Sequence, residues 1–420
     1  MDRIAVHGSK GEDCIMRRLG VPVAAGLAAG TLLLFACQDP ATTESDPALA
    51  RGGQPAQVAS GKTIFRFDTF GDETFWTDTL QMHSVISASL TPTLALQLGL
   101  KVDVDALPAS LRADLAAGKV DLGSPATTVA LLKLGAVVGL VGTVEGTALT
   151  RVGTTCALCH STVDNSFAVG IGKRLDGWPN LDLDPGRIIA LSPYPPVAAL
   201  AAVYNSWGPG RYDPRFNFDG INGPVVIPPA YGLRHVNSVT YTGDGTEIAY
   251  WNRYVAVTQM HGHGSFSEPR TGVSANNPPD LVSAKLPALQ AYQLSLQAPA
   301  PDPGSFDPAA AGRGRAVFVG AGRCAECHSG SELTDANIRL HSPSEVVSEP
   351  EPGGVPSYAS RSATKLYRTT PLRGLAHRGP YFHNGIAATL EAVVELYNSK
   401  KGLNLTAQQK ADLVQYLRSL

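Results

Sequence analysis

Cys156-Ala157-Leu158-Cys159-His160 and Cys324-Ala325-Glu326-Cys327-His328 repeat one arrangement, two cysteines three positions apart followed at once by histidine. Each pair of thiols suits addition to the two vinyl groups of one porphyrin, and the adjoining imidazole suits its iron, so the pattern predicts two covalently bound c-type haems. Cys-x-x-Cys is also half of a tetrahedral zinc site. Zinc, however, leaves unexplained why histidine follows both pairs and why the pairs stand 168 residues apart. Of six cysteines, the two outside the motifs are Cys14 and Cys37, so no disulfide framework remains.

Those two lie in a leader-like segment. Arg17 and Arg18 precede an apolar run from Val21 to Ala36, which ends in Leu34-Phe35-Ala36-Cys37. Sixteen residues containing Pro22 fall short of the ~20 that span a bilayer as a helix, so the run predicts an export signal over residues 1–37. Its end resembles a bacterial lipoprotein cleavage box with Cys37 bearing the lipid, although Phe35 is an unusual residue there and plain secretion is the alternative. Met16 is an alternative start. The expected address is the bacterial periplasm or cell envelope, with membrane contact only through a lipid on Cys37.

Composition is that of ordinary globular material, 420 residues with 44% hydrophobic and 17% charged, enough for two or three modest cores. The formal charge of −2 becomes −3 once residues 1–36 are removed, which gives no footing for nucleic acid.

From 38 to 60 the chain is rich in Ala, Pro, Gly, Ser and Thr without periodicity, the composition of a flexible tether. An N-terminal extension follows over 61–150, its folded part opening near Thr63-Ile64-Phe65-Arg66-Phe67. Within it Pro125 to Leu134 reads as a helix, and Val137 to Val144, a turn at Glu145-Gly146, and Thr147 to Val152 read as a β-hairpin leading to the first motif. Trp178 to Pro229 holds too many prolines for long helices. Helical stretches are expected at Ile248 to Met260, ending at His261-Gly262-His263-Gly264, and at Leu286 to Leu296. A Pro-rich linker occupies 298–307. Helices from Pro308 to Phe318 and from Thr406 to Leu420 then bracket the second motif; Leu413, Tyr416, Leu417 and Leu420 share one face of the last. The expected fold is mainly α, with two cytochrome c-like haem domains, 151–297 and 308–420, long loops and the N-terminal extension.

The stretches Arg368-Thr369-Thr370-Pro371-Leu372-Arg373-Gly374-Leu375, Gly379-Pro380-Tyr381-Phe382-His383-Asn384-Gly385 and Ala388-Thr389-Leu390-Glu391-Ala392-Val393-Val394-Glu395-Leu396-Tyr397-Asn398 resemble the bacterial di-haem cytochrome c peroxidase superfamily. That superfamily includes the enzyme that matures methylamine dehydrogenase and, more distantly, the rubber oxygenases. The likeness is strong over 312–420 and weaker over 151–296, where Pro229-Ala230-Tyr231-Gly232-Leu233 and Tyr241-Thr242-Gly243-Asp244-Gly245 match loosely. Residues 38–150 carry no signature of it.

The resemblance implies a division of labour, with peroxide or O2 meeting iron at the His160 haem and electrons stored and passed at the His328 haem. An electron-transfer haem generally has both axial positions filled and a catalytic one keeps one open. Methionine is the usual sixth ligand of the second haem in these peroxidases, and none follows Met260. Tyr397 stands at the corresponding place, where the maturation enzyme carries tyrosine. It also lies on the helical stripe of Leu390, Val393 and Val394, which suits a core residue equally. His383 and His377 are the alternative ligands.

At the first haem the peroxidases use a distal glutamate. The matching region here runs from Gln259 to His263 and offers Gln259, His261 and His263 in its place, with Glu247 and Arg253 as weaker candidates. Histidine can hold or release a proton, whereas glutamine can only orient a bound group. The family's inter-haem tryptophan falls at Gly243, with Tyr241 or Trp251 as substitutes. The family also binds calcium, partly through carbonyls matching Arg378 and Pro380, so Ca2+ joins the two haems c as an expected cofactor.

Three functions compete: a peroxidase drawing electrons from a small redox donor protein, an oxidase or oxygenase acting on a protein or hydrophobic organic substrate, and a di-haem electron carrier. Homodimeric assembly is an open expectation.

Overall fold

The computed structural model describes residues 54–420 except 217, 218 and 246. The export signal, Cys37 and the tether up to residue 53 lie outside the described residues. Helix α1 (Pro55–Phe67) has Pro55 in its first turn, where a missing N–H costs nothing. It begins within the stretch expected as tether, so residues 55–60 are helical. Helix α2 (Pro125–Lys133) leads to strands β1 (Leu140–Glu145) and β2 (Ala148–Thr154), an antiparallel pair whose second strand ends two residues before Cys156. After short helices comes α3 (Ile248–Tyr254), prolonged by a π turn over Val255–Gln259.

Strands β3 (Gly264–Glu268) and β4 (Val273–Asn277) pair antiparallel, and α4 (Leu286–Ser295) follows. Helix α5 (Pro308–Val319) starts where the Asp307 carboxylate accepts from the Ala309 and Ala310 amides. Helix α6 (Leu390–Lys401) is capped by Thr389 and stops at Gly402, in the left-handed region at φ 60. A capping box of Thr406 and Gln409 starts α7 (Ala407–Arg418). Every sheet among the described residues has two strands, so the fold is mainly α.

Two helix crossings built to one pattern frame the two motifs. Where α1 meets α4, a Cβ on Gly61 would lie 1.9 Å from the Ala288 carbonyl oxygen; where α5 meets α7, one on Gly314 would lie 2.0 Å from that of Asp412. Four residues after each glycine, Phe65 and Phe318 set their rings edge-on to Tyr292 (5.5 Å) and Tyr416 (5.1 Å). Gly-x-x-x-Phe against tyrosine thus recurs in both halves. The first half therefore begins with α1, and the expected extension boundary at residue 61 falls inside this helix. Residues between Phe67 and Cys156 are an insertion between the framing helix and its motif, with their own core of Trp76, Leu80, Met82, Ile86, Leu98 and Leu132. Buried Asp72 ties this insertion to the motif by accepting from the Thr154 hydroxyl (2.6 Å) and amide.

The Gly/Pro-rich loops join the two halves. Arg361 pairs with Asp213 (2.9 Å) and Asp219 (2.8 Å), and the Tyr231 hydroxyl donates to the Gly374 carbonyl (3.1 Å). No helix among the described residues is long and apolar enough to cross a membrane.

Candidate haem sites

The two motif histidines are held alike. His160 Nδ1 lies 3.1 Å from the Pro228 carbonyl oxygen, and His328 Nδ1 lies 3.0 Å from that of Leu333. A carbonyl only accepts, so each Nδ1 carries the proton and each Nε2 keeps its lone pair for a metal. Burial lowers both imidazoles to about 4, which leaves them neutral at physiological pH. All four motif cysteines are free thiols, and burial pushes Cys156 and Cys159 up to about 12 and Cys324 to about 11. A buried, protonated thiol pair beside an oriented neutral imidazole is the donor set that haem c uses. Among the described residues, the groups of three or more candidate metal ligands within mutual reach are Cys327, Asp335 and His341, and Glu349, Glu351 and His383. Neither unites the two cysteine pairs, so a shared zinc site has no geometry behind it.

Near the first motif the chain builds an aromatic box that the sequence did not announce. Tyr212 lies within electrostatic reach of Cys159. Its ring meets Trp207 (5.7 Å) and Phe216 (5.3 Å) edge-on, and Phe216 in turn meets His261 (6.0 Å). His261 stacks on Phe75 at 3.7 Å, and burial lowers its imidazole to about 4. The backbone reaches this position by a left-handed residue, φ 61 at His261, directly after the π turn.

The three distal candidates therefore part company. Buried Gln259 spends its amide on the Pro214 carbonyl, which the Tyr254 hydroxyl also reaches (2.7 Å). His263 uses both ring nitrogens elsewhere, Nδ1 on the Pro278 carbonyl (3.0 Å) and Nε2 on Thr74 Oγ1 (3.3 Å). Glu247 and Arg253 face Gln290 and Ser283. His261 alone of the three joins the aromatic box.

Around the second motif, Tyr397 sits on α6 within electrostatic reach of Cys324 and Cys327, and burial holds its phenol protonated well above the ordinary range. Of the other two ligand candidates, His383 is engaged by hydrogen bonds, whereas the Nε2 of His377 is buried with no hydrogen-bond partner. His383 places Nε2 2.5 Å from Glu351 Oε1 and 3.3 Å from the Tyr367 hydroxyl, with its ring stacked on Tyr358 (5.6 Å). Burial raises the Glu351 carboxyl, but the His383 and Asn384 contacts outweigh this and hold it below the usual range. His377 lies 4.8 Å from Trp178, next to Gly177, whose amide donates to the His160 carbonyl (2.8 Å). Of the tryptophan substitutes, Tyr241 reaches the second half at His383 (6.2 Å), while Trp251 packs on Tyr254 (4.6 Å). Trp178, which sequence reasoning passed over, is the tryptophan that touches both halves.

These features suit the binding of haem c. No family model matches the chain. The methylamine utilization protein MauG of Methylorubrum extorquens is 30% identical over 160 residues, 33% of this chain and 43% of that protein. The cytochrome-c peroxidase IdrP2 of Denitromonas iodatirespirans is 28% identical over 141 residues (26% and 38%), and the cytochrome c551 peroxidase of Pseudomonas aeruginosa is 29% identical over 117 residues (26% and 33%). The matches span less than half the length of each of these curated relatives. A solved MauG-like protein associated with microbial copper homeostasis overlays at 21% identity and a TM-score of 0.33, covering 47% of this chain and 73% of that one, a likeness too slight to add weight. These partial matches support the resemblance to the di-haem cytochrome c peroxidase superfamily.

Proposed function

We propose that this is an exported di-haem c-type oxidoreductase of peroxidase type, with peroxide or O2 taken at the His160 site and electrons delivered by way of the His328 site. The observation that carries the reading is the pair of identically oriented imidazoles, with an aromatic box beside the first motif that joins Tyr212, within electrostatic reach of Cys159, to the buried, neutral His261. When bound, haem c supplies one-electron redox chemistry and an iron position that an outside molecule can enter. Cys156, Cys159 and His160 would hold the first haem, and Cys324, Cys327 and His328 the second.

The chain's own residues supply the rest. His261 holds or releases the proton that reduction of peroxide requires, and Phe75 and Phe216 keep water from its ring. Tyr397 offers a phenol oxygen as second axial donor at the His328 site. Coordination as phenolate requires its proton to leave, which makes that ligation depend on pH. An export leader with lipid on Cys37, a small donor protein and calcium at the Arg378 and Pro380 carbonyls belong to the same reading.

A second reading, oxidation of a hydrophobic organic substrate, is favoured by one feature. An apolar cavity lined by Met82, Ile86, Leu90, Leu98 and Leu191 reaches Leu158, inside the first motif. Steady-state peroxide turnover with a reduced small cytochrome, beside oxygen uptake with candidate organics, separates the two. Electron paramagnetic resonance of the ferric protein tests the haem roles: one high-spin and one low-spin signal are expected, with only the latter altered by Tyr397→Phe. Two unchanged low-spin signals would overturn the assignment.

A further inference from the structure

Three arginines are equally buried, Arg361, Arg368 and Arg378, each 8% exposed. Their partners differ. Arg361 is neutralised by Asp213 and Asp219. Arg368 donates to the Ser238 carbonyl (2.8 Å) and Arg378 to the Pro371 carbonyl (2.7 Å), and neither forms an ion pair with any carboxylate among the described residues. The Nε of each is buried with no hydrogen-bond partner.

The two guanidiniums also feel each other. Desolvation lowers both, Arg368 to about 10, and Arg378 depresses Arg368 further. Both act on the Tyr241 phenol, and Arg378 acts on the His328 imidazole. An isolated buried charge is among the most costly arrangements a protein can contain, and two like charges side by side are worse. Backbone carbonyls bring only partial charge. An anion is missing from this account, and the planar guanidinium fork with a free Nε is the shape that takes a carboxylate.

We propose that Arg368 and Arg378 form a carboxylate clamp, and that it receives the propionates of the porphyrin carried by Cys324 and Cys327. The inference rests on the two-haem reading above and goes beyond it in assigning charge compensation. It brings together Arg368, on the strand-like segment next to Tyr367, and Arg378, five residues before His383. A clamp of two cations also favours the reduced state of the neighbouring iron, which offsets the opposite pull of a phenolate from Tyr397.

The test is a redox titration of the purified holoprotein, following each haem by its optical spectrum, for wild type, Arg368→Gln, Arg378→Gln and Arg368→Lys. Haem content, read as pyridine haemochrome, is measured for each. With two haems per chain retained, either glutamine variant should shift the second haem's redox equilibrium about tenfold toward the oxidised form, a fall of about 59 mV for one electron. The first haem should not move. Arg368→Lys, which keeps the charge but not the fork, should keep most of the potential while altering the propionate bending modes in resonance Raman spectra. Wild-type potentials should ignore excess acetate.

Full haem content with unmoved potentials in both glutamine variants would overturn the clamp and leave the two-haem reading standing. A second-haem potential that follows added acetate in wild type, and loses that response in the variants, would assign the clamp to a free carboxylate and overturn its assignment to propionate. Fewer than two haems in wild type would overturn the functional reading itself.

Discussion

Gly314 brings α5 so close to α7 that a Cβ in its place would stand 2.0 Å from the carbonyl oxygen of Asp412 and 2.9 Å from Cβ of Tyr416. Gly61 stands in the same relation to Ala288 and Tyr292. In an open helix, alanine for glycine would be worth about 1 kcal/mol of stabilisation. Here the backbone of the partner helix blocks the methyl, and overpacking of this kind costs about 1–3 kcal/mol. Gly314→Ala and Gly61→Ala should therefore each destabilise the chain in urea denaturation followed by circular dichroism. A gain in stability at either position would refute the close crossing.

Arg361 joins the two halves through Asp213, whose side chain is fully buried. Arg361→Leu leaves that carboxylate without its counter-charge in a site water does not reach. Removing one partner of a buried pair costs about 3–5 kcal/mol, whereas an exposed pair is worth at most about 1 kcal/mol. The larger loss is expected in chemical denaturation.

Asp72 is raised well above the usual carboxylate range, first by desolvation, with the Thr154 contacts opposing. A raised folded-state pKa means the unfolded chain releases this proton first as pH rises. The burial of Asp72 therefore costs stability above about pH 4, where an unfolded carboxylate ionises, and costs nothing below it. Asp72→Asn keeps an oxygen for Thr154 and should melt at a higher temperature than wild type at pH 7. The advantage should shrink to zero as pH falls below about 4.

His261→Gln should lower peroxide turnover by about 10²–10⁴-fold, the usual worth of a positioned acid or base, with haem content unchanged. His263→Ala should leave turnover near wild type, because that ring is committed to Pro278 and Thr74. Since burial sets His261 to about 4, the acid limb of the turnover profile should fall there and not near the ordinary imidazole value of 6.5. A limb that stays in place in His261→Gln would assign it to another group.

Local features of the chain were legible at the level of single residues. The caps at Asp307 and Thr406, and Pro308 at the start of α5, set α5 and α7 within two residues of the expected Pro308–Phe318 and Thr406–Leu420. The proline density after Trp178 kept helices short, with Pro185–Ala190, Pro195–Ala199 and Ala201–Asn205 the observed pieces. What escaped was the repeat of Gly61 and Phe65 in Gly314 and Phe318. Each is five ordinary residues, and the relation becomes visible only when tyrosines 227 and 98 positions further along close the crossing.

The sequence by itself determined the two haem c attachment motifs, because each such motif is five adjacent residues and needs nothing remote. It also carried the family resemblance, because the loop and helix from Arg368 to Asn398 hold their pattern in order. The tertiary structure alone decided which histidine joins the aromatic box, which were taken up by Glu351 or Pro278, and which buried arginines went without a carboxylate. Burial and hydrogen-bond partnership are properties of residues brought together from distant parts of the chain, and no local window contains both members of such a pair.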